Sequence, residues 1–385
     1  MRWLKDVSLS AGVAGFVAVL VGFTSSVAVV FAAAQALGAT PAQTASWIWA
    51  LGLAMGLCSL GLSLHYRQPV LVAWSTPGAA LIAATQGVAM SDAIGAFLLC
   101  GALIALAGYS GLFERVMDRI PMAIAAALLA GVLARFGLDA VLATRSAPVL
   151  VLAMAAAYLA GKRWWPRYAV PGVLLAGVAV AAARGQLHLG DVQAGLAMPV
   201  WTSPTWSAST LLGIGVPLFV VTMASQNLPG VAAQRASGFR IPVSPVVGAT
   251  GIATLLAAPF GGFTVNLAAI TAAICMGPEA HEDPKRRYTA SVMAGFFYLA
   301  VGLAGGTVAA LLAAFPRELV VAVAGLALLG TIGGGLAAAL KDEQHRDAAT
   351  LTFLVTLSGL SMAGIGSAFW GVVAGGLALL ATHRR

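Results

Sequence analysis

Ser75 and Thr76 stand between Pro69 and Pro77-Gly78, while Thr264 and Asn266 follow Gly261-Gly262, in a chain otherwise built of long apolar stretches. These hydroxyl and amide side chains lie where a helix cannot simply run on. A proline removes a backbone donor and pushes its predecessor towards extended geometry, and adjacent glycines allow a non-helical approach. Helical patterning resumes at Ala79-Ala80-Leu81-Ile82-Ala83-Ala84 after the first break and near Thr264 after the second. Broken backbone inside a bilayer survives only where protein buries it or where it lines a wet cavity. A helix restarting there aims unpaired N–H groups and a positive dipole end at that cavity. Such chemistry suits an anionic or acceptor-rich ligand. Each hydroxyl could equally cap a helix and bind nothing, and it is the pairing of two such breaks that favours a site.

Other polar residues fall near the same depth. Ser225-Gln226-Asn227-Leu228-Pro229-Gly230 places two amides beside a proline expected to end its helix. The amides could hydrogen-bond a ligand or join helices to one another. Thr24-Ser25-Ser26 interrupts the first apolar run, where bonding back to the helix's own carbonyls is the alternative. Trp74, Phe260 and Phe263 flank the breaks and could hold a flat ring, or simply pack in the core. The candidate binding set is therefore Ser25, Trp74, Ser75, Thr76, Gly78, Gln226, Asn227, Gly262, Phe263, Thr264 and Asn266. No catalytic residue is assigned: HExxH, GxSxG and Walker A patterns are missing from the sequence. The cysteines Cys58, Cys100 and Cys275 lack metal-ligand spacing and the histidines are scattered, so neither a metal nor a cofactor is expected. All thirteen Asp and Glu fall in loops or at the ends of apolar runs. A mid-membrane carboxylate would cost about 2.5–3.5 kcal/mol and usually marks a proton or cation site, so its absence favours an anionic substrate.

The elements that must position these residues are membrane-spanning helices. Of 385 residues 60% are hydrophobic and only 9% charged, with mean hydropathy +0.93, whereas a soluble domain carries about 25% charged residues. Windows of about 20 apolar residues occur near Ala11–Leu37, Ala42–Leu62, Ala93–Tyr109, Pro121–Phe136, Pro148–Gly161 and Pro171–Arg184, with a broken element over Pro69–Val88. An amphipathic stretch, Leu112–Ile120, lies among them. After the polar loop Gly185–Ser207 the plan repeats: Ser209–Ser225, Pro242–Ala258, the broken Pro259–Met276, Tyr288–Phe315, a Gly-rich pair of short segments within Pro316–Leu340, Ala348–Met362 and Ser367–Thr382. The pattern predicts an all-α polytopic protein of about 14 segments. Seven spans per half would invert the second half, and matching broken elements point to a site at the interface of an inverted repeat. Glycines four apart, as at Gly52/Gly56 and Gly302/Gly306, predict close helix contacts.

The excess of 21 basic over 13 acidic residues could suggest nucleic acid, but its distribution argues otherwise. With a cytoplasmic N-terminus, every Lys and Arg except Arg135, Arg145, Arg184 and Arg317 falls on the inner side. That is the positive-inside bias of a membrane protein with both termini cytoplasmic. The opening apolar run is too long for a cleavable signal and reads as the first span.

Ala73-Trp74-Ser75-Thr76-Pro77-Gly78, Ser225 to Gly230, Pro259-Phe260-Gly261-Gly262, Leu267 to Cys275 and Gly277-Pro278-Glu279-Ala280-His281 resemble the bacterial benzoate transporter (BenE) family, over essentially the whole chain. The resemblance implies benzoate:proton symport at the bacterial inner membrane and kinship with the uracil:proton symporter and sulfate permease fold. That fold has seven-plus-seven inverted repeats, is often a homodimer, and carries short extended stretches followed by half-helices in its third and tenth segments. It implies a core domain (residues 1–110 and 208–315), a gate domain (111–186 and 316–385) and an inter-repeat loop (187–207). Its partners are then a small aromatic carboxylate, a proton and the lipid bilayer. Nucleobase members carry acids on the eighth and tenth spans, where this chain has Gln226, Asn227, Val265 and Asn266. That departure argues against a nucleobase and names no proton carrier. The alternatives are another small anion or a nucleobase carried on the same fold, a passive channel, or a purely structural membrane protein.

Overall fold

A computed structural model of the chain describes residues 2–83, 85, 87–166, 169–187, 195–313, 315–360, 362 and 367–382. His188, Asp191 and His383 lie outside them. The first half comprises α1 (Leu9–Ala36), α2 (Pro41–Tyr66), β1 (Val72–Trp74), α3 (Thr76–Ala83), α4 (Met90–Tyr109), α5 (Leu112–Met117), α6 (Met122–Leu142), α7 (Pro148–Trp164) and α8 (Ala169–Ala183). The second comprises α9 (Ala208–Ala236), α10 (Val243–Ala257), β2 (Val265–Leu267), α11 (Ile270–Met276), α12 (Tyr288–Ala313), α13 (Arg317–Leu340), α14 (Arg346–Ser358) and α15 (Ser367–Thr382). Seven helices among the described residues are long and apolar enough to cross a membrane. The protein is a mostly helical membrane protein.

Local chemistry explains several boundaries. Thr40 and Gln43 close a capping box ahead of Pro41 at the start of α2, satisfying donors the first turn leaves free. Arg67 ends α2 in a left-handed conformation, φ +50°, and turns the chain towards β1. In α9, Pro229 does not end the helix as the sequence suggests. A wide π turn over Met223–Asn227 precedes it, and another over Leu211–Gly215 precedes Pro217. Each gives its proline room where a regular turn would clash, and the helix runs on to Ala236.

Two further expectations are corrected. The Gly-rich region before Leu340 is the single helix α13 rather than a pair of short segments. No proline interrupts it, and its glycines serve close packing: a Cβ on Gly325 would lie 2.6 Å from the Phe136 carbonyl of α6, and one on Gly335 would lie 3.2 Å from Ala130 Cβ. The helix after the second break restarts at Ile270, not near Thr264, because Val265–Leu267 is drawn into a strand.

The principal helix pairs are α6 with α13, α2 with α12 and α4 with α10. The second and third of these pairs share a mode of contact. Both are glycine-mediated: a Cβ on Gly52 would sit 2.6 Å from Gly302 Cα, and one on Gly108 would sit 2.3 Å from Gly248 N. Without a hydrophobic drive between helices in lipid, such backbone approach supplies the dispersion contact.

Among the described glycines, Gly261 is the most tightly constrained. It has φ +95°, and an added Cβ would fall 1.7 Å from Trp47 Cδ1. Gly261→Ala should therefore destabilise the protein by at least about 2 kcal/mol, from overpacking together with a left-handed alanine. A lowered Tm of the detergent-solubilised variant checks this; an unchanged Tm would mean that the turn relaxes without cost.

Candidate functional site

The two broken elements meet as strands. β1 and β2 pair antiparallel, with Val72 opposite Leu267, Ala73 opposite Asn266 and Trp74 opposite Val265. Ala268 N–H continues the contact to the Leu71 carbonyl at 2.9 Å. Two three-residue strands cannot satisfy their own outer edges, and surrounding helices complete them. Ser59 Oγ of α2 accepts from Val72 N–H at 3.0 Å, and Thr254 Oγ1 of α10 accepts from Val265 N–H at 3.0 Å. Ser63 Oγ donates to the Val70 carbonyl at 2.8 Å and accepts from Val70 N–H at 3.1 Å. Gln234 Nε2 donates to the Pro69 carbonyl at 2.6 Å. Asn227, turned inward by the π turn, accepts from Leu267 N–H at 3.0 Å through Oδ1. Gly230 lets α9 approach, since a Cβ there would be 2.7 Å from Leu267 Cβ.

Beside this strand pair lies a cavity of about 70 Å³, several times the roughly 10–15 Å³ that one water needs on the same measure. Trp74, Thr76 and Gln226 of the candidate set line it, with Ala73, Ser26, Gly22, Ile270 and Thr271. Met55, Phe136 and Tyr298 complete much of the apolar wall. No carboxylate is among the described lining residues. Trp74 is fixed in place: its Nε1–H donates to Ser26 Oγ at 2.9 Å, Ser26 donates to the Gly22 carbonyl at 2.8 Å, and its ring sits 5.6 Å from that of Phe23.

The remaining candidates divide between support and packing. Ser75 Oγ accepts from Gly78 N–H at 3.0 Å, and the Ser75 carbonyl accepts from Ala79 N–H at 2.8 Å. With Pro77 lacking a donor, Thr76 is the residue at the start of α3 that reaches the cavity. Gly78 is packed against Leu218 and Ser75. Asn266 is buried in the strand pair, its Nδ2 donating to Thr264 Oγ1 at 2.9 Å, while its Oδ1 has no partner. Phe263 points into an aromatic cluster, 5.9 Å from Trp47 and 6.3 Å from Phe97, and Phe260 stacks edge-on with Trp49 and Trp201. Gly262, Phe263 and Thr264 are not among the lining residues. The Ser25 side chain lies outside the described ones; its neighbour Ser26 is the hydroxyl that reaches the cavity. Sequence reasoning missed Phe136, Thr271 and Tyr298. The usable signal was a tyrosine and a threonine within otherwise apolar helices, but nothing in the sequence brings α6 and α12 to this point.

A small polar-and-aromatic cavity between two interrupted elements, inside a bundle of apolar helices, is the architecture of a multi-pass membrane protein with an internal cavity. The family description "Benzoate membrane transport protein" (BenE) matches residues 5–381, and the chain belongs to that family. The inner membrane protein YdcO of Escherichia coli is 49% identical over 365 residues, covering 94% of this chain and 93% of the relative. The benzoate membrane transport protein of Acinetobacter baylyi is 39% identical over 375 residues, covering 97% and 95%. The chain is thus a membrane transport protein and not an enzyme. Two solved structures align over most of it: the transmembrane domain of a cyanobacterial bicarbonate transporter, BicA (14% identity, TM-score 0.43, 98% of this chain and 97% of that one), and SLC26A9 (11%, 0.49, 99% and 67%). Likenesses this distant carry no weight for the site.

Asn227→Ala should leave Leu267 N–H buried and unpaired, a loss of about 1–3 kcal/mol. A lower Tm with faster amide exchange over Val265–Leu267 is the expected result; unchanged protection there would remove Asn227 from the support of β2.

Proposed function

We propose that the protein imports benzoate or a similar aromatic carboxylate together with one proton, across the bacterial inner membrane, by alternating access. The observation that carries this reading is the cavity itself. Both broken elements reach it, Trp74 offers a fixed ring, Thr76 and Gln226 offer hydrogen bonds, and no described carboxylate opposes an anion there. The substrate ring rests against Trp74, and its carboxylate is held at the start of α3 by Thr76 and Gln226. Ser26 keeps the indole in position.

A benzoate-like acid, with a pKa near the roughly 4.3 of Glu, is almost wholly ionised at neutral pH. Moving a monoanion into an inside-negative cell opposes about 2.3 kcal/mol per 100 mV. One accompanying proton cancels that charge, which makes 1:1 symport electroneutral and driven by a pH gradient.

In the same reading each broken element counts as one crossing. Seven crossings (α1, α2, β1–α3, α4, α6, α7, α8) precede the inter-repeat loop, and seven (α9, α10, β2–α11, α12, α13, α14, α15) follow it in inverted orientation. The exchange-symmetric pairs α2–α12 and α4–α10, and the matching roles of Ser59 and Thr254, support this repeat. The core (1–110, 208–315) carries the site and moves against the gate (111–186, 316–385), with both termini in the cytoplasm.

Purified protein in liposomes, given an inwardly directed proton gradient, should accumulate labelled benzoate uphill, with salicylate competing and uracil, xanthine and sulfate failing to compete. Gln226→Ala and Thr76→Val should each raise KM about tenfold or more, the effect of a lost hydrogen bond to a charged group, while inserting normally. Non-saturating, purely downhill flux would instead identify a channel, and wild-type kinetics in both variants would displace the site.

A further inference from the structure

Away from the cavity, two ion pairs of opposite polarity tie distant parts of the chain together. Lys162, at the end of α7, donates to Glu279 Oε1 at 2.7 Å, just beyond α11. The Glu279 side chain is only 5% exposed and that of Lys162 is 36% exposed. Glu279 also rests on α13, since a Cβ on Gly330 would lie 2.9 Å from Oε1. Its Oε2 is buried without a hydrogen-bond partner. The nearby Arg287 is committed to the carbonyls of His281 and Met276, at 2.8 and 2.9 Å. Tyr158 flanks the pair, its ring centroid 5.7 Å from the Lys162 ammonium. The second link joins Arg235, near the end of α9, to the Asp118 carboxylate and the Met117 carbonyl beside α5. Glu114 adds a bond from the same segment, accepting from Ser244 N–H at 3.1 Å.

In the division proposed above, Glu279 and Arg235 belong to the core, whereas Lys162 and Asp118 belong to the gate. We infer that these two pairs form a latch, one cation and one anion from each body, that holds core against gate in this conformation and opens in every transport cycle. The inference rests on that division. Charged hydrogen bonds of this kind reach only about 2.7–2.9 Å, so a shift of one helical turn, about 5.4 Å, separates both. Glu279 makes the latch selective: parting it from Lys162 strands a buried charge unless water reaches it as the bodies separate. Both pairs lie on the side assigned above to the cytoplasm, so the latch ties the two bodies together on that side.

The test measures distance and needs no substrate. Spin labels are placed on cysteines at the exposed positions Arg163 of the gate and Glu282 of the core, with the three native cysteines replaced, in liposomes. The parent should show a dominant docked distance. Glu279→Gln and Lys162→Met should each raise the ratio of separated to docked protein by about tenfold, the effect expected for a lost charged hydrogen bond. Combining Lys162→Glu with Glu279→Lys should restore the parent ratio. Asp118→Asn, at a side chain 65% exposed and so tolerant of change, should act in the same direction more weakly. Identical distance distributions in the parent and all variants, or a reversed pair no better than the single changes, would overturn the latch. Failure of wild-type protein to accumulate any aromatic acid would instead overturn the transport reading, leaving the distance result to stand or fall separately.

Discussion

Everything at the centre of this molecule depends on satisfying the backbone of two short extended segments where no water is assured. β1 and β2 solve half of the problem by pairing with each other. Hydroxyl and amide side chains from the adjoining helices solve the other half: Ser59 and Ser63 for the first strand, Thr254 and Asn227 for the second. An unpaired buried amide costs about 1–3 kcal/mol, so several left open at once would consume much of the stability of an ordinary domain. These polar residues therefore act first as scaffold, and the cavity exists because the scaffold holds.

This ordering explains why some candidate residues do not touch the cavity. Asn227 and Ser75 look like ligand contacts in the sequence because they are polar and sit at breaks. The same breaks generate unpaired backbone, and the nearest polar side chains are used to satisfy it. Two that are left facing the cavity, Thr76 and Gln226, are their immediate neighbours in the chain, and Ser26 joins them from α1.

The existence and place of both breaks were legible, because proline and paired glycine act on local geometry alone. Most of the long apolar helices were legible as well, from apolar length. What the sequence could not reveal was decided by tertiary packing. Pro229 sits inside a helix because a π turn accommodates it. Val265–Leu267 is extended because a partner strand from the other half lies beside it. Phe263 turns to Trp47 and Phe97 rather than to the cavity, and Tyr298 reaches the cavity only because α12 packs on α2 through glycine. Each of these requires knowing which distant element is near.

The strand pair also has a bearing on how the chain is made. Val72–Trp74 emerges from the ribosome long before its partner Val265–Leu267 exists, so the nascent first half carries an open edge into the bilayer. Ser59 and Ser63, on the preceding helix, are synthesised ahead of that edge and can shield part of it at once. The remainder stays unpaired until Val265–Leu267 is made, so the closing of this short ribbon has to wait for the second half of the chain.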